Sequence, residues 1–202
     1  MMSAAVVTAS ISSVMGRWQP NAAGRLQQAA LELYAERGYE ETTVAEIAER
    51  AGLTERTFFR HFSDKREVLF RGSEELQRLI VDAVHAAPAT ATPIEAIAVG
   101  VAAAGAIFDA SRRPRSRQRQ AVIDANPELQ ERELVKLSSL AAALAAALRR
   151  RGVQDPAAEL SADAGIAVFR VAFDRWLHDD SEREFARFVG DGVVELRAVA
   201  AG

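Results

Sequence analysis

Residues 53 to 66 read LTERTFFRHFSDKR, and the side chains crowded there suit one kind of chemistry, the recognition of a polyanion with readable edges. Thr54 and Thr57 offer hydroxyls that bind phosphate, and Arg56 and Arg60 offer guanidinium groups that match guanine. His61 and Lys65 add donors, and Thr43, ten residues upstream of Leu53, adds another hydroxyl at a helix start. Four basic residues face two acidic ones over this stretch, in a chain of 202 residues whose formal net charge is -3. An acidic protein has kept one positive edge, so any nucleic-acid role rests on local charge.

These side chains need short, well-capped helices to hold them. Asn21 is placed to cap a first helix whose Leu26, Ala30, Leu33 and Tyr34 form one stripe before Gly38. Thr43 with Glu46 three residues on is a capping box, and it opens a second helix that Gly52 stops. Thr54 caps a third helix running to His61 or Phe62. Two short helices joined by AGLT make a helix-turn-helix. Leu53, Phe58 and Phe62 point inward; Thr54, Glu55, Arg56, Thr57, Arg60 and His61 are left outward. Asp64 and Glu67 repeat the capping pattern and predict a long helix from about 65 to 86, closed by Pro88.

Beyond Pro88 the composition turns to Ala, Leu, Val and Arg, and Pro93, Pro114, Pro127 and Pro156 each stand where a helix begins. The expected helices are 94–109, 115–125, 128–151, 156–178 and 182–199, with Asp155 and Ser181 as caps of the last two. No strand pattern appears. The fold class is all-α: residues 1–20 a disordered tail, 21–66 a helix-turn-helix unit, 67–202 a larger helical domain. Met15 offers a second translation start.

Cysteine is absent, which excludes disulfides and thiolate chemistry and suits a reducing cytoplasm. No apolar run reaches the roughly 18 residues of a spanning helix, so no membrane is expected. No Gly-rich phosphate loop, nucleophile elbow or HExxH is present, and the carboxylates are scattered. Neither an enzyme nor a cofactor is expected, and His85 and His178 stand alone without metal-ligand spacing.

The stretch AALELYAERGYEETTVAEIAERAGLTERTFFRHFSDKREVLF, residues 29–70, resembles the DNA-binding domain of the TetR family of bacterial repressors. The landmarks are the Gly38-Tyr39 turn, Thr43, Ile47-Ala48, Gly52, an aromatic pair, His61-Phe62 and Lys65. The resemblance implies a homodimer that sets one helix per subunit into successive major grooves of a palindromic double-stranded DNA operator. It places Thr43, Thr54, Arg56, Thr57, Phe59, Arg60 and His61 against DNA and makes Lys65 a backbone anchor. Phe59 departs from the family, which often has Tyr there, so a phosphate hydrogen bond gives way to ring packing. It also implies a C-terminal pocket for a small-molecule effector.

NPELQERELVKLSSLAAALAAALRRRG followed by IAVFRVAFDRWL resembles the regulatory domain of mycofactocin-system regulators within that family, some of which respond to acyl-CoA. The pocket walls expected from the helices include Phe108, Ile123, Leu140, Leu144, Phe169 and Phe173, which favours an apolar or amphipathic effector. SRRPRSRQR, holding Arg112, Arg113, Arg115, Arg117 and Arg119, reads as a charged linker. Its sharper alternative is an anion site for DNA phosphate or for the phosphates of a CoA-like effector. Phe169, Phe173, Trp176, Phe185 and Phe188 are expected to pack a four-helix dimer interface. Pocket filling is expected to push helix 115–125 against helix 65–86. The rival reading is an effector-independent, architectural DNA-binding protein.

Overall fold

The computed structural model describes residues 22–202; the tail at 1–20, the Asn21 cap and Met15 lie outside them. The described residues form helices and turns with no strand. Three helices come first: α1 (Ala22–Arg37), α2 (Val44–Arg50) and α3 (Glu55–His61). A 3-10 turn at Glu67–Phe70 leads into α4 (Ser73–Ala86), followed by α5 (Pro93–Ala103), α6 (Arg113–Asp124), α7 (Pro127–Arg150), α8 (Ala157–His178) and α9 (Phe185–Ala201).

Two cores result. The second, larger one gathers Ile80, Val84, Ile97, Leu144, Leu148 and Trp176 from α4, α5, α7 and α8. The first is centred on Leu26, Ile47 and Phe58 and is completed from far along the chain by Val122, Ile123 and Leu129. The α6–α7 corner is thus part of the helix-turn-helix core, and Val68, Leu69 and Phe70 belong there too. The expected unit boundary after residue 66 cuts through this core.

Several expected helices are broken or shifted. The long helix 65–86 is interrupted at Gly72, whose φ of 90° is left-handed, a conformation cheap for glycine alone. Asp64 caps the 3-10 turn, accepting from the backbone N–H of Arg66 at 2.8 Å and of Glu67 at 3.2 Å. Glu67 does not reach back; it turns to Arg132 and Lys136 of α7. Helix 94–109 stops at Ala103, and the chain bends by 66° before α6. The bend drops Phe108 among Phe173, Trp176 and Phe185, with ring centroids 5.1, 5.6 and 5.0 Å away, and burying those rings outweighs continuing the helix.

Asp155 does not cap α8; it pairs with Arg149 at 2.9 Å. Ser181 does not cap α9, which starts at Phe185. The arginine run is not a linker but the first two turns of α6 and the turn before it. Arg113 and Arg117 reach the opposite way from their neighbours and donate to carbonyls at the end of α8, including Asp179 at 2.6 and 3.0 Å. Cations suit a helix C-terminus, where carbonyls lack intrahelical partners. No single helix among the described residues is long and apolar enough to cross a membrane.

Candidate nucleic-acid interface and cavity

α3 is held by its own sequence. Thr54 caps it, its Oγ1 accepting from the Thr57 N–H at 3.2 Å and lying 3.1 Å from the Thr57 hydroxyl. Phe58 is fully buried and Phe62 nearly so, their rings 5.5 Å apart. Arg25 donates to the Ala51 carbonyl across the turn. Gly52 sits at a left-handed φ of 63°, a conformation cheap for glycine and strained for most side chains.

The outward face matches the expected one. Thr54, Arg56, Arg60 and His61 are exposed, Thr57 half-buried, and Phe59 is 56% exposed. Among the described residues no carboxylate pairs with Arg56 or Arg60, whereas Arg37 and Arg50 are tied to Glu46 and Glu36, each at 2.8 Å. Thr43 is exposed, but its hydroxyl accepts from the Glu46 N–H at 3.2 Å, closing the capping box, and donates to the Glu46 carboxylate at 2.9 Å. Among the described residues Arg56 and Arg60 thus keep their guanidinium donors unused.

Lys65 is occupied differently. Its Nζ donates to the carbonyls of Tyr39 at 2.9 Å, Glu40 at 3.1 Å and Thr42 at 3.3 Å. It also lies 4.3 Å from the centre of the Tyr39 ring. Its three donors have acceptors, so it clamps the α1–α2 turn to the end of α3. Tyr34 adds a bond from its hydroxyl to the Lys65 carbonyl at 2.9 Å; burial pushes the Tyr34 phenol well above its ordinary range.

A cavity of about 710 Å³ opens where α4, α6, α7 and α8 meet. Of the expected wall, Phe108, Leu140, Phe169 and Phe173 line it. Ile123 and Leu144 do not: each is fully buried in a core, Ile123 in that of the helix-turn-helix and Leu144 in the larger one. The lining also includes Arg112, Arg115, Arg119, Glu133 and Lys136, so three arginines of the run stand beside the apolar wall. Sequence reasoning missed Glu133 and Lys136. The arginines carried a legible signal: 112, 115 and 119 share a helical face, and 113 and 117 share another. Burial lowers the Arg115 guanidinium, and Arg71 and Arg112 lower it further by like charge.

The expected aromatic dimer interface is corrected. Phe169, Trp176, Phe185 and Phe188 are buried within the protomer because they surround Phe108 or pack beside it in the same core. The outer face of α8 instead carries Leu160 and Val171, 66% and 46% exposed, and that of α9 carries Val194 at 66%.

Residues 26–71 match the bacterial regulatory proteins of the tetR family, and residues 91–201 match the MftR C-terminal domain. Over 175 residues the chain is 27% identical to the mycofactocin biosynthesis transcriptional regulator MftR of Mycobacterium tuberculosis, covering 84% of this chain and 86% of that protein. Over 73 residues it is 40% identical to the HTH-type transcriptional regulator TcmR of Streptomyces glaucescens, a match spanning 36% of this chain and only 32% of that relative. Among solved structures, a transcriptional regulator from Pseudomonas aeruginosa PAO1 aligns with a TM-score of 0.61 at 17% identity, covering 89% of this chain and 90% of that one. Thermus thermophilus FadR, in complex with lauroyl-CoA, aligns at 0.50 and 23% identity, covering 87% and 93%. These two share the fold.

Proposed function

The chain belongs to the TetR family of bacterial regulatory proteins, and from that membership we propose that it is a repressor released from a palindromic operator by an amphipathic small molecule. The observation that carries this reading is a shared segment. The turn at Glu67–Phe70, the next element after α3 with five residues between them, also supplies Leu69 and Phe70 to the cavity wall.

Two protomers pair through the outer faces of α8 and α9, an arrangement that sets two α3 helices into major grooves roughly 34–36 Å apart. Arg56 and Arg60 reach base edges or phosphates; Thr43, Thr54, Thr57 and His61 contact the backbone. Phe59 packs on sugar or on a thymine methyl. Lys65 serves this interface by holding the turn that presents Thr43.

The cavity seats an acyl or aromatic tail against Phe108, Phe169 and Phe173 and a polar head against the α6 arginines, which suits acyl-CoA-like compounds. Release requires the effector to favour the DNA-incompetent arrangement; about 2.7 kcal/mol of preference corresponds to roughly a hundredfold. The test is a binding-site selection from random duplexes, followed by a thermal-shift screen of fatty acids, acyl-CoAs, planar aromatics, sugars and amino acids. An inverted repeat and release by tailed compounds are expected. Stabilisation by polar metabolites alone would overturn the effector reading.

A further inference from the structure

The 3-10 turn behind the reading helix is fastened to the rest of the protein by two cations that also line the cavity. Lys136 donates to the Glu67 carboxylate at 3.0 Å, beside Arg132 on the other carboxylate oxygen. Arg119 donates its Nε to the Leu69 carbonyl at 2.7 Å and lies 5.1 Å from the Phe70 ring. Arg119 is also paired with Glu133 at 3.5 Å. The first and third residues of the turn thus depend on side chains whose other exposure is to the ligand space. Lys136 is about three-quarters buried, as is Arg119, so water screens these contacts less than it does surface pairs.

We propose that the effector carries an anionic head, a carboxylate or a phosphate, and that this head unlocks the turn by drawing Lys136 and Arg119 away from Glu67 and Leu69. The inference rests on the cavity being the effector site. A tail laid along Phe108, Phe169 and Phe173 delivers its head toward α6 and α7, where an anion finds Arg119 and Lys136 already desolvated. The exchange is one of acceptors: each cation gives up a bond to the turn for one to the ligand. Glu67 retains Arg132, and the Leu69 carbonyl is left without its long-range donor. An uncharged head of the same length fills the same space and leaves both ties intact. The charge of the ligand, and not its bulk alone, is then what reaches α3 through Arg66 and Lys65.

The probes are decanoate, decyl phosphate and decanol. Their binding is measured by calorimetry, and amide hydrogen exchange is followed in the segment 66–72. Decanoate, decyl phosphate or both should raise exchange in that segment by roughly tenfold or more, because two charge-assisted hydrogen bonds to the turn are given up and Arg132 still holds Glu67; whichever acts identifies the head group. Decanol should bind without raising exchange. Lys136→Met and Glu67→Gln should each raise exchange without any ligand and blunt the further rise with the anions. A merely structural Lys136 would leave the anion response intact in Lys136→Met, and that result would overturn the proposal. Equal responses to decanol and decanoate in the wild type would also overturn it while leaving the cavity as the effector site. Failure of all three probes to bind would remove the effector reading itself, and this inference with it.

Discussion

Replacing Lys65 by Met separates two jobs that one ammonium could do. Methionine keeps most of the stem and removes three donors and the charge over Tyr39. A hydrogen bond to a charged group contributes about 1.5–3 kcal/mol, and an exposed cation–π contact about 0.5–1 kcal/mol. The Glu40 carbonyl lies at the surface, where water replaces the lost donor, whereas the contacts to Tyr39 and Thr42 are partly buried. The expected loss is therefore roughly 2–3 kcal/mol rather than three full bonds. With a urea slope of about 2 kcal/mol/M, the unfolding midpoint should fall by about 1–1.5 M. Operator affinity should fall because the turn that presents Thr43 loosens, but the dependence of log K on log salt should keep its slope. A phosphate anchor behaves in the opposite way, giving unchanged stability and a slope reduced by about 0.9 for the lost contact. That pair of results, from urea denaturation and fluorescence anisotropy, would refute the clamp.

Arg56→Ala should cost about 1–3 kcal/mol on the selected operator and relax one position per half-site; an unchanged selected motif would remove Arg56 from base reading. Val171→Glu and Val194→Glu, on the outer faces of α8 and α9, should shift a two-fold dimer to monomer by light scattering, and unaltered mass would place the interface elsewhere. Glu67 supplies a pH test. Burial draws its carboxyl upward, but Arg132 and Lys136 outweigh that and hold it below the ordinary value of 4.5. A carboxylate with a depressed folded pKa stabilises the fold above that value, and the benefit is lost as pH falls below it through the folded pKa. Glu67→Gln should therefore be less stable than wild type at pH 7 and converge with it under acid, read from urea midpoints across pH; a gap that does not narrow as pH falls below 4.5 would count against the ion pair.

The helix-turn-helix was legible because its determinants are local. Thr43, Glu46 and Thr54 act on backbone three residues away, and Phe58 and Phe62 keep one face at helical spacing. Helix starts marked by proline were legible for the same reason. What escaped depends on partners distant in sequence. The aromatic stripe at Phe169, Phe173 and Trp176 was visible, but periodicity says only that such a face is buried, not whether by this chain or by another copy. Phe108 decides that, from some sixty residues upstream, by closing over the stripe. The break at Gly72 lay inside an otherwise continuous pattern, where glycine is tolerated in some helices and ends others. Lys136 and Glu133 drew no attention because a charged residue on a long helix usually faces water; only the cavity beside α7 gives them a role.

The completion of the first core by Val122, Ile123 and Leu129 bears on how this protein could be recombined. A chimera cut between the two family matches, in the stretch 72–90, would transplant the reading head without three of its own core residues. Foreign side chains of other volumes would meet Leu26 and Phe58, leaving a void or a clash worth several kcal/mol. A working graft must carry the α6–α7 corner with the head, a discontinuous transplant of two chain segments. For this chain, the helix-turn-helix and the α6–α7 corner then behave as one heritable unit, and a foreign body accepts the head only where its own corner already fits.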